Sequence, residues 1–206
     1  MKKIISFIIG LTLIFMLTGC GITIVPLDDE AKAEGGNDVA AFWESQAVPE
    51  IEENAVDLVT LLDEANGNIK SLVNVYGRYS NGESGNILFP IHGIGKVKEV
   101  NTEKKAGYLT VELDGYTGNT VICVQIGPVF KETTMRDYLS FIDINDYSDQ
   151  IEFAQISKDI NTYIGENVVD YDALKKSTGS IIEFYGCFTY SDDQELMITP
   201  SEITIK

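Results

Sequence analysis

Leu17-Thr18-Gly19-Cys20 sets the terms for everything after it, because it divides the chain into a part that is removed and a part that folds. Lys2 and Lys3 precede a mostly apolar run from Ile4 to Leu17. That run has the length of a secretory h-region and is short for a membrane span. An apolar residue, a small polar one, glycine and then cysteine is what a lipoprotein signal peptidase reads, since small side chains let an extended backbone enter the protease. The cysteine thiol then accepts a diacylglyceryl group. The sequence therefore predicts a signal peptide over 1–19, a lipidated Cys20 as first mature residue, a tether over 20–38 and one folded body over 39–206.

Cleavage leaves about 187 residues, enough for a single core. The formal charge is −17, and losing Lys2 and Lys3 takes it to −19. Nucleic acid is excluded as a partner, because neutralising phosphates needs a basic face. Here the only arginines are Arg78 and Arg136, and the lysines are scattered among acids. An anionic bilayer would repel such a body, so the lipid must hold it there. At about 0.8 kcal/mol per buried methylene, the two or three acyl chains of a bacterial lipoprotein anchor it lastingly. No other cofactor is expected. Cys123 and Cys187 both fall in strand-like runs, where they either pair outside the cytoplasm or serve as small buried hydrophobes. Their spacing is not that of a metal site.

After the tether, Pro49 marks a first helical turn, and Ile51, Ala55, Leu58 and Leu62 recur at helical spacing as far as Gly67. Ile69, Leu72, Val73 and Tyr76 form a second, shorter stripe ending at Gly77. This predicts an N-terminal helical hairpin within 39–77. Arg78 to Asn86 reads as a loop.

From Ile87 the period becomes two. Strands are predicted through Phe89 to Val100, Tyr108 to Leu113 and Val121 to Ile126. Gly93 and Gly95 suggest a bent strand. Thr134-Met135-Arg136-Asp137 has the form of a capping box, Phe141 to Asn145 reads as extended, and Phe153, Ile156, Ile160 and Ile164 share a helical face ended by Gly165. Asp170 opens another short helix. Two strands close the chain, Ser180 to Tyr190 and Leu196 to Ile205, with Pro200 marking an edge or bulge. Three strands, helices and two strands is the order of an OB-type barrel, so the fold class is α+β: an OB-like antiparallel barrel (87–206) of about five strands, with capping helices.

A family likeness rests on Val75-Tyr76-Gly77-Arg78, Gln125-Ile126-Gly127-Pro128-Val129, Arg136-Asp137, Phe141, Asn145-Asp146-Tyr147, Gln150-Ile151-Glu152-Phe153-Ala154, Gly186-Cys187-Phe188 and Ile198-Thr199-Pro200. On these the chain resembles a family of predicted periplasmic lipoproteins of unassigned function, often encoded beside ribose-type sugar ABC importers. The likeness covers nearly all of the mature chain. It implies an OB-type pseudo-barrel capped by helices, an extracytoplasmic location on the periplasmic side or cell surface, and the company of a transporter component or sugar-binding protein. It supplies no catalytic residues.

The most polar cluster is Arg136, Asp137, Asp143, Asn145, Asp146, Asp149 and Gln150. Acids and amides around one arginine suit sugar hydroxyls or a calcium ion, and equally suit helix caps and an ion pair. Tyr76 and Arg78, leading into a glycine-rich loop, are candidates for a partner surface. His92 is the only histidine and has no Gly-x-Ser-x-Gly elbow or HExxH motif beside it, which points to a structural role. The chain is thus expected to be a non-catalytic binding or accessory lipoprotein, associated with sugar uptake and lacking a metal. Direct sugar or calcium binding in the barrel mouth, and hydrolysis by loop carboxylates, are the alternatives.

Overall fold

The computed structural model describes residues 38–81 and 84–206. The signal peptide, Cys20 and all of the tether except Asp38 lie outside the described residues. Asp38 accepts a hydrogen bond from Ala41 N at 3.3 Å and so caps α1, Val39–Phe42. The chain continues through a π-turn, Trp43–Ala47, into α2, Val48–Asn54, with Pro49 in its first turn as anticipated. The single helix expected from Pro49 as far as Gly67 is broken. Ala55 leaves helical backbone, Val56–Asp57 form β1, and Asp57 accepts from Thr60 N at 2.9 Å to cap α3, Leu58–Ala65. The reason is long-range: Val56 pairs with Ile91 and Asp57 with His92 in a parallel bridge, an alternative home for the backbone groups that a continuous helix would have used. Ile51, Leu58 and Leu61 stay buried on both sides of the break. Beyond Gly67 come a 3-10 turn, Ile69–Leu72, and α4, Val73–Tyr76.

The predicted loop after Gly77 begins instead with a strand, β2 (Arg78–Asn81), which pairs with the start of β3, Ser84–Asn101. β4 (Ala106–Leu113), β5 (Val121–Pro128), β6 (Ile181–Thr189) and β7 (Glu195–Ile205) complete the sheet. The order β3-β4-β5-β7-β6 returns to β3, so five strands close into the expected barrel, with β5 and β7 parallel. Closure depends on the length of β3, which pairs with β6 over 88–96 and with β4 over 95–101. Gly93 lies where a side chain would not fit, since a Cβ there would stand 2.6 Å from Phe184 Cζ, and the register of β3 with β4 slips further on, between Val97 and Glu99. Pro200 sits at a register slip between β6 and β7, the bulge its position suggested. Phe89, Phe184, Phe188, Leu109, Ile122 and Ile198 fill the interior, with the Phe89 and Phe188 rings stacked at 5.3 Å.

Between β5 and β6 lie α5 (Thr134–Tyr138), a 3-10 turn (Ile144–Asp146), α6 (Gln150–Tyr163), a π-turn (Ile164–Val168) and α7 (Tyr171–Leu174). Three local expectations change. The residue before α5 is Thr133, whose hydroxyl donates to Asp137 Oδ2 at 2.5 Å, while Thr134 is buried with its hydroxyl 2.8 Å from Thr189 Oγ1. Phe141 to Asn145 is a turn leading into the 3-10 segment, because Asp143 accepts from Asn145 N at 2.8 Å and curls the backbone. Gly165 does not end the helical path, since the π-turn carries it to Val168 and packs on β7. Ile156, Ile160 and Ile164 are buried on one face as expected, and Asp170 caps α7 through Ala173 N at 3.0 Å.

α2 packs on β6 and β7, where it brings Glu52 to Glu202. Burial and a hydrogen bond to Glu52 raise the Glu202 carboxyl above its ordinary range, and the charges of Glu52, Glu44 and Glu183 add to this. Glu183 itself is held low by hydrogen bonds from Lys206 and His92. A carboxyl raised in the folded state holds its proton more tightly there than in the unfolded chain. Its contribution is therefore full below the ordinary glutamate range and is lost as pH rises through the raised value. Glu202→Gln should accordingly raise the melting temperature at pH 7 by an amount worth less than about 1 kcal/mol after solvent screening. The gain should vanish as pH falls below the ordinary glutamate range, and melting curves across pH check it.

Candidate functional site

Both arginines of this acidic chain reach the same groove, which has a volume of about 520 Å3 and lies beside β2 and α5. Arg78 enters from β2. Its Nη2 donates to Glu50 Oε1 at 3.1 Å, and its guanidinium lies 3.9 Å from the centroid of the Tyr138 ring. Arg136 enters from α5. Its Nε donates to Asp137 Oδ1 at 2.9 Å, its Nη1 to the Phe153 carbonyl at 3.3 Å, and its guanidinium lies 4.1 Å from the Phe153 ring centroid. Arg136, over a ring and joined to a carboxylate through two nitrogens, and Arg78, over a ring and joined to one through a single nitrogen, both lose rotamer freedom, so the two positive groups are held in place.

The acids around them are engaged as well. Glu50 receives Ser140 N at 3.0 and 3.1 Å in addition to Arg78. Asp137 receives Thr133 and Arg136. Asp143 receives both Asn145 N and Asn145 Nδ2, at 2.8 and 2.7 Å. The Asp143 bond explains the local fold of the 3-10 turn, which starts on an oxygen that accepts its unpaired backbone N–H, whereas α5 starts without a side-chain cap. Asp149 does the same for α6 through Ile151 N and Glu152 N, while Glu152 reaches back to Ser148 N at 2.7 Å.

Of the residues singled out in the sequence, Arg78, Arg136, Asp137, Asp143 and Asn145 line the groove. Asp146, Gln150 and Tyr76 do not. Asp146 is exposed in the 3-10 turn and Gln150 is exposed at the start of α6. Tyr76 donates to Glu64 Oε2 at 2.8 Å, which raises its phenol above the usual range. The sequence reading missed Glu50, and it did not see Tyr138 and Phe153 as ring partners of the arginines. A signal was available, since a chain with two arginines must hold each with a carboxylate or a ring wherever they are half-buried.

Cys123 and Cys187 are both buried free thiols. No bridge forms because β7 stands between β5 and β6: Cys123 pairs with Met197 on one side of it and Cys187 with Thr199 on the other. Burial pushes the Cys123 thiol up to about 12 and raises that of Cys187 too, so neither is a ready nucleophile. His92 lies with Nε2 3.1 Å from Glu183 Oε1 and its ring 4.5 Å from that of Tyr185, on the sheet and away from the groove. Among the described residues no group of three or more His, Cys, Asp or Glu is placed to hold a metal ion, and no helix is long and apolar enough to cross a membrane.

Barrel and groove together define an OB-type protein capped by helices. A solved structure described as an OB-fold protein from Thermotoga maritima matches with a TM-score of 0.61, covering 84% of this chain and 100% of that one at 17% identity. At that identity the likeness shows the fold alone. The family model described as "Predicted periplasmic lipoprotein (DUF2291)" matches residues 11–204, and the chain belongs to that family. It is thus an extracytoplasmic lipoprotein, held at a bacterial membrane. No match was found among curated protein sequences.

Proposed function

We propose that the protein is a non-catalytic binding or accessory component, tethered by a diacylglyceryl thioether at Cys20, that works beside a sugar ABC uptake system. The groove between Arg78 and Arg136 is its partner surface. The observation that carries this reading is the engagement of every groove acid named above by a guanidinium, a hydroxyl, an amide or a backbone N–H. Such a surface is rigid and polar, suited to recognition. Hydrolysis would instead use two carboxylates free to face one another across a cleft, whereas Asp137 and Asp143, which line this groove, accept hydrogen bonds from Thr133, Arg136 and Asn145. Rigid side chains lose little entropy on docking. Confinement to the membrane surface raises the effective concentration of any membrane partner, so a modest contact suffices.

The test is photo-cross-linking in intact cells of the native host, from a reactive group placed at Tyr79, which lines the groove on β2. A permease or solute-binding component of a sugar importer should be recovered, with the yield falling at least several-fold on Arg78→Glu. Recovery of no transporter component would remove the proposal.

A further inference from the structure

A second cavity, of about 760 Å3, opens at the end of the barrel where the β4–β5 turn (114–120), the β6–β7 turn and the link after α3 come together. The three segments are bound to one another. Asp193 Oδ1 accepts from Ile69 N at 2.8 Å, and the Asp193 carbonyl accepts from Thr120 Oγ1 at 2.9 Å. Tyr116 OH and Thr120 Oγ1 are 3.1 Å apart, and Val121 N donates to the Gln194 carbonyl at 2.7 Å. Loops so tied need little ordering when a ligand arrives.

The lining chemistry is selective. Leu62 and Ile69 are buried and give an apolar floor, with the half-buried Tyr116 ring beside it. Asn66, Thr117, Asn119 and Gln194 stand exposed around the opening, and each side chain can both donate and accept a hydrogen bond. Among the described residues, Asp63 and Asp193 are the only charged ones lining the cavity, with no Lys, Arg or His beside them.

We propose that this cleft binds a neutral polyhydroxylated ligand about one or two sugar rings in size. Vicinal hydroxyls are paired donors and acceptors, which is what amide and hydroxyl side chains match, and the volume lies within the ordinary range of about 300–1,000 Å3 for small-ligand sites. Phosphorylated sugars and nucleotides are disfavoured, because two carboxylates and no cation would face their charge. A bare cation is a poorer occupant. Both Asp193 oxygens already accept hydrogen bonds, from Ile69 N and from Tyr190 OH at 3.3 Å, which leaves Asp63 as the one other carboxylate in the lining. The inference concerns a site separate from the arginine groove and does not depend on that groove's partner.

Isothermal titration of the full-length lipidated protein in detergent tests it, with D-ribose, D-glucose, D-galactose, maltose, sodium phosphate and calcium chloride as separate probes. At least one of the four sugars should bind at one per chain, while phosphate and calcium give no heat. Thr117→Trp, which sets a large ring into the opening from an exposed turn, should raise Kd at least tenfold. Asn119→Ala should raise it several-fold in a protein that melts like the parent, covering the case in which the tryptophan variant does not fold. Tyr79→Ala, in the other groove, should leave Kd unchanged. The proposal is overturned by silence from all four sugars up to about 10 mM, a concentration beyond the weak millimolar range. It is equally overturned by sugar binding that both cleft variants leave unaltered, or by saturable binding of phosphate or calcium in place of sugar. Cross-linking from Tyr79 should be the same in Thr117→Trp as in the parent, so failure here and failure of the groove reading register in different experiments.

Discussion

Phe184→Ala is expected to destabilise the barrel by about 3–5 kcal/mol, a large part of the roughly 5–15 kcal/mol that holds a domain together. The ring is fully buried on β6 and stands opposite Gly93 of β3 in register. It occupies the space a side chain at Gly93 would take, since a Cβ there would lie 2.6 Å from Cζ. Truncation leaves a cavity that neighbouring strands, hydrogen-bonded on both sides, cannot collapse to fill. The same contact predicts a coupling. Gly93→Ala overpacks the site and should cost about 1–3 kcal/mol, and part of that cost should return when Phe184→Leu is added, because the shorter side chain clears the new methyl. Urea denaturation of the four proteins gives the cycle. Strictly additive losses would show that glycine and ring do not share that space.

Cys20→Ala, placed behind a secretory leader that an ordinary signal peptidase removes in place of residues 1–19, is the second large effect, and it falls on location. With the acyl acceptor gone, more than nine-tenths of the protein should move from the membrane pellet to a soluble fraction, because two or three acyl chains supply the anchorage. A body with a formal charge near −19 gains no attraction from anionic lipid to replace them. Its melting temperature should not change, since the buried core of the described residues begins at Val39. Persistence in the pellet after a high-salt wash would mean that something other than lipid at that position holds the protein to the membrane.

The barrel was readable in the sequence because its strands alternate over many residues. Tyr108 to Leu113 keeps the period of two long enough to identify both the strand and its inward face. Val56–Asp57 and Arg78–Asn81 were not readable, because two and four residues hold no period and their state is decided by β3, which is distant in sequence. The helical pattern over Ile51 to Leu62 was real as a burial pattern and misleading as a backbone one, since the stripe continues across a break that only pairing with Ile91 produces. At the groove the sequence identified Arg136, Asp137, Asp143 and Asn145 as a group because they are near in the chain. Glu50 escaped because it reaches Arg78 and Ser140 across 28 and 90 residues. A site in the barrel mouth was foreseeable from the fold class, but the residues of the end cleft were not, for the same reason, because they come from three turns that meet only when the barrel closes.

The most direct test of the account is the intact mass of the protein extracted from the membranes of its native host. A polypeptide beginning at Cys20 and carrying a diacylglyceryl group, with or without a third acyl chain, is the predicted result. A chain that starts at any other residue, or one that starts at Cys20 without fatty acid, would contradict it.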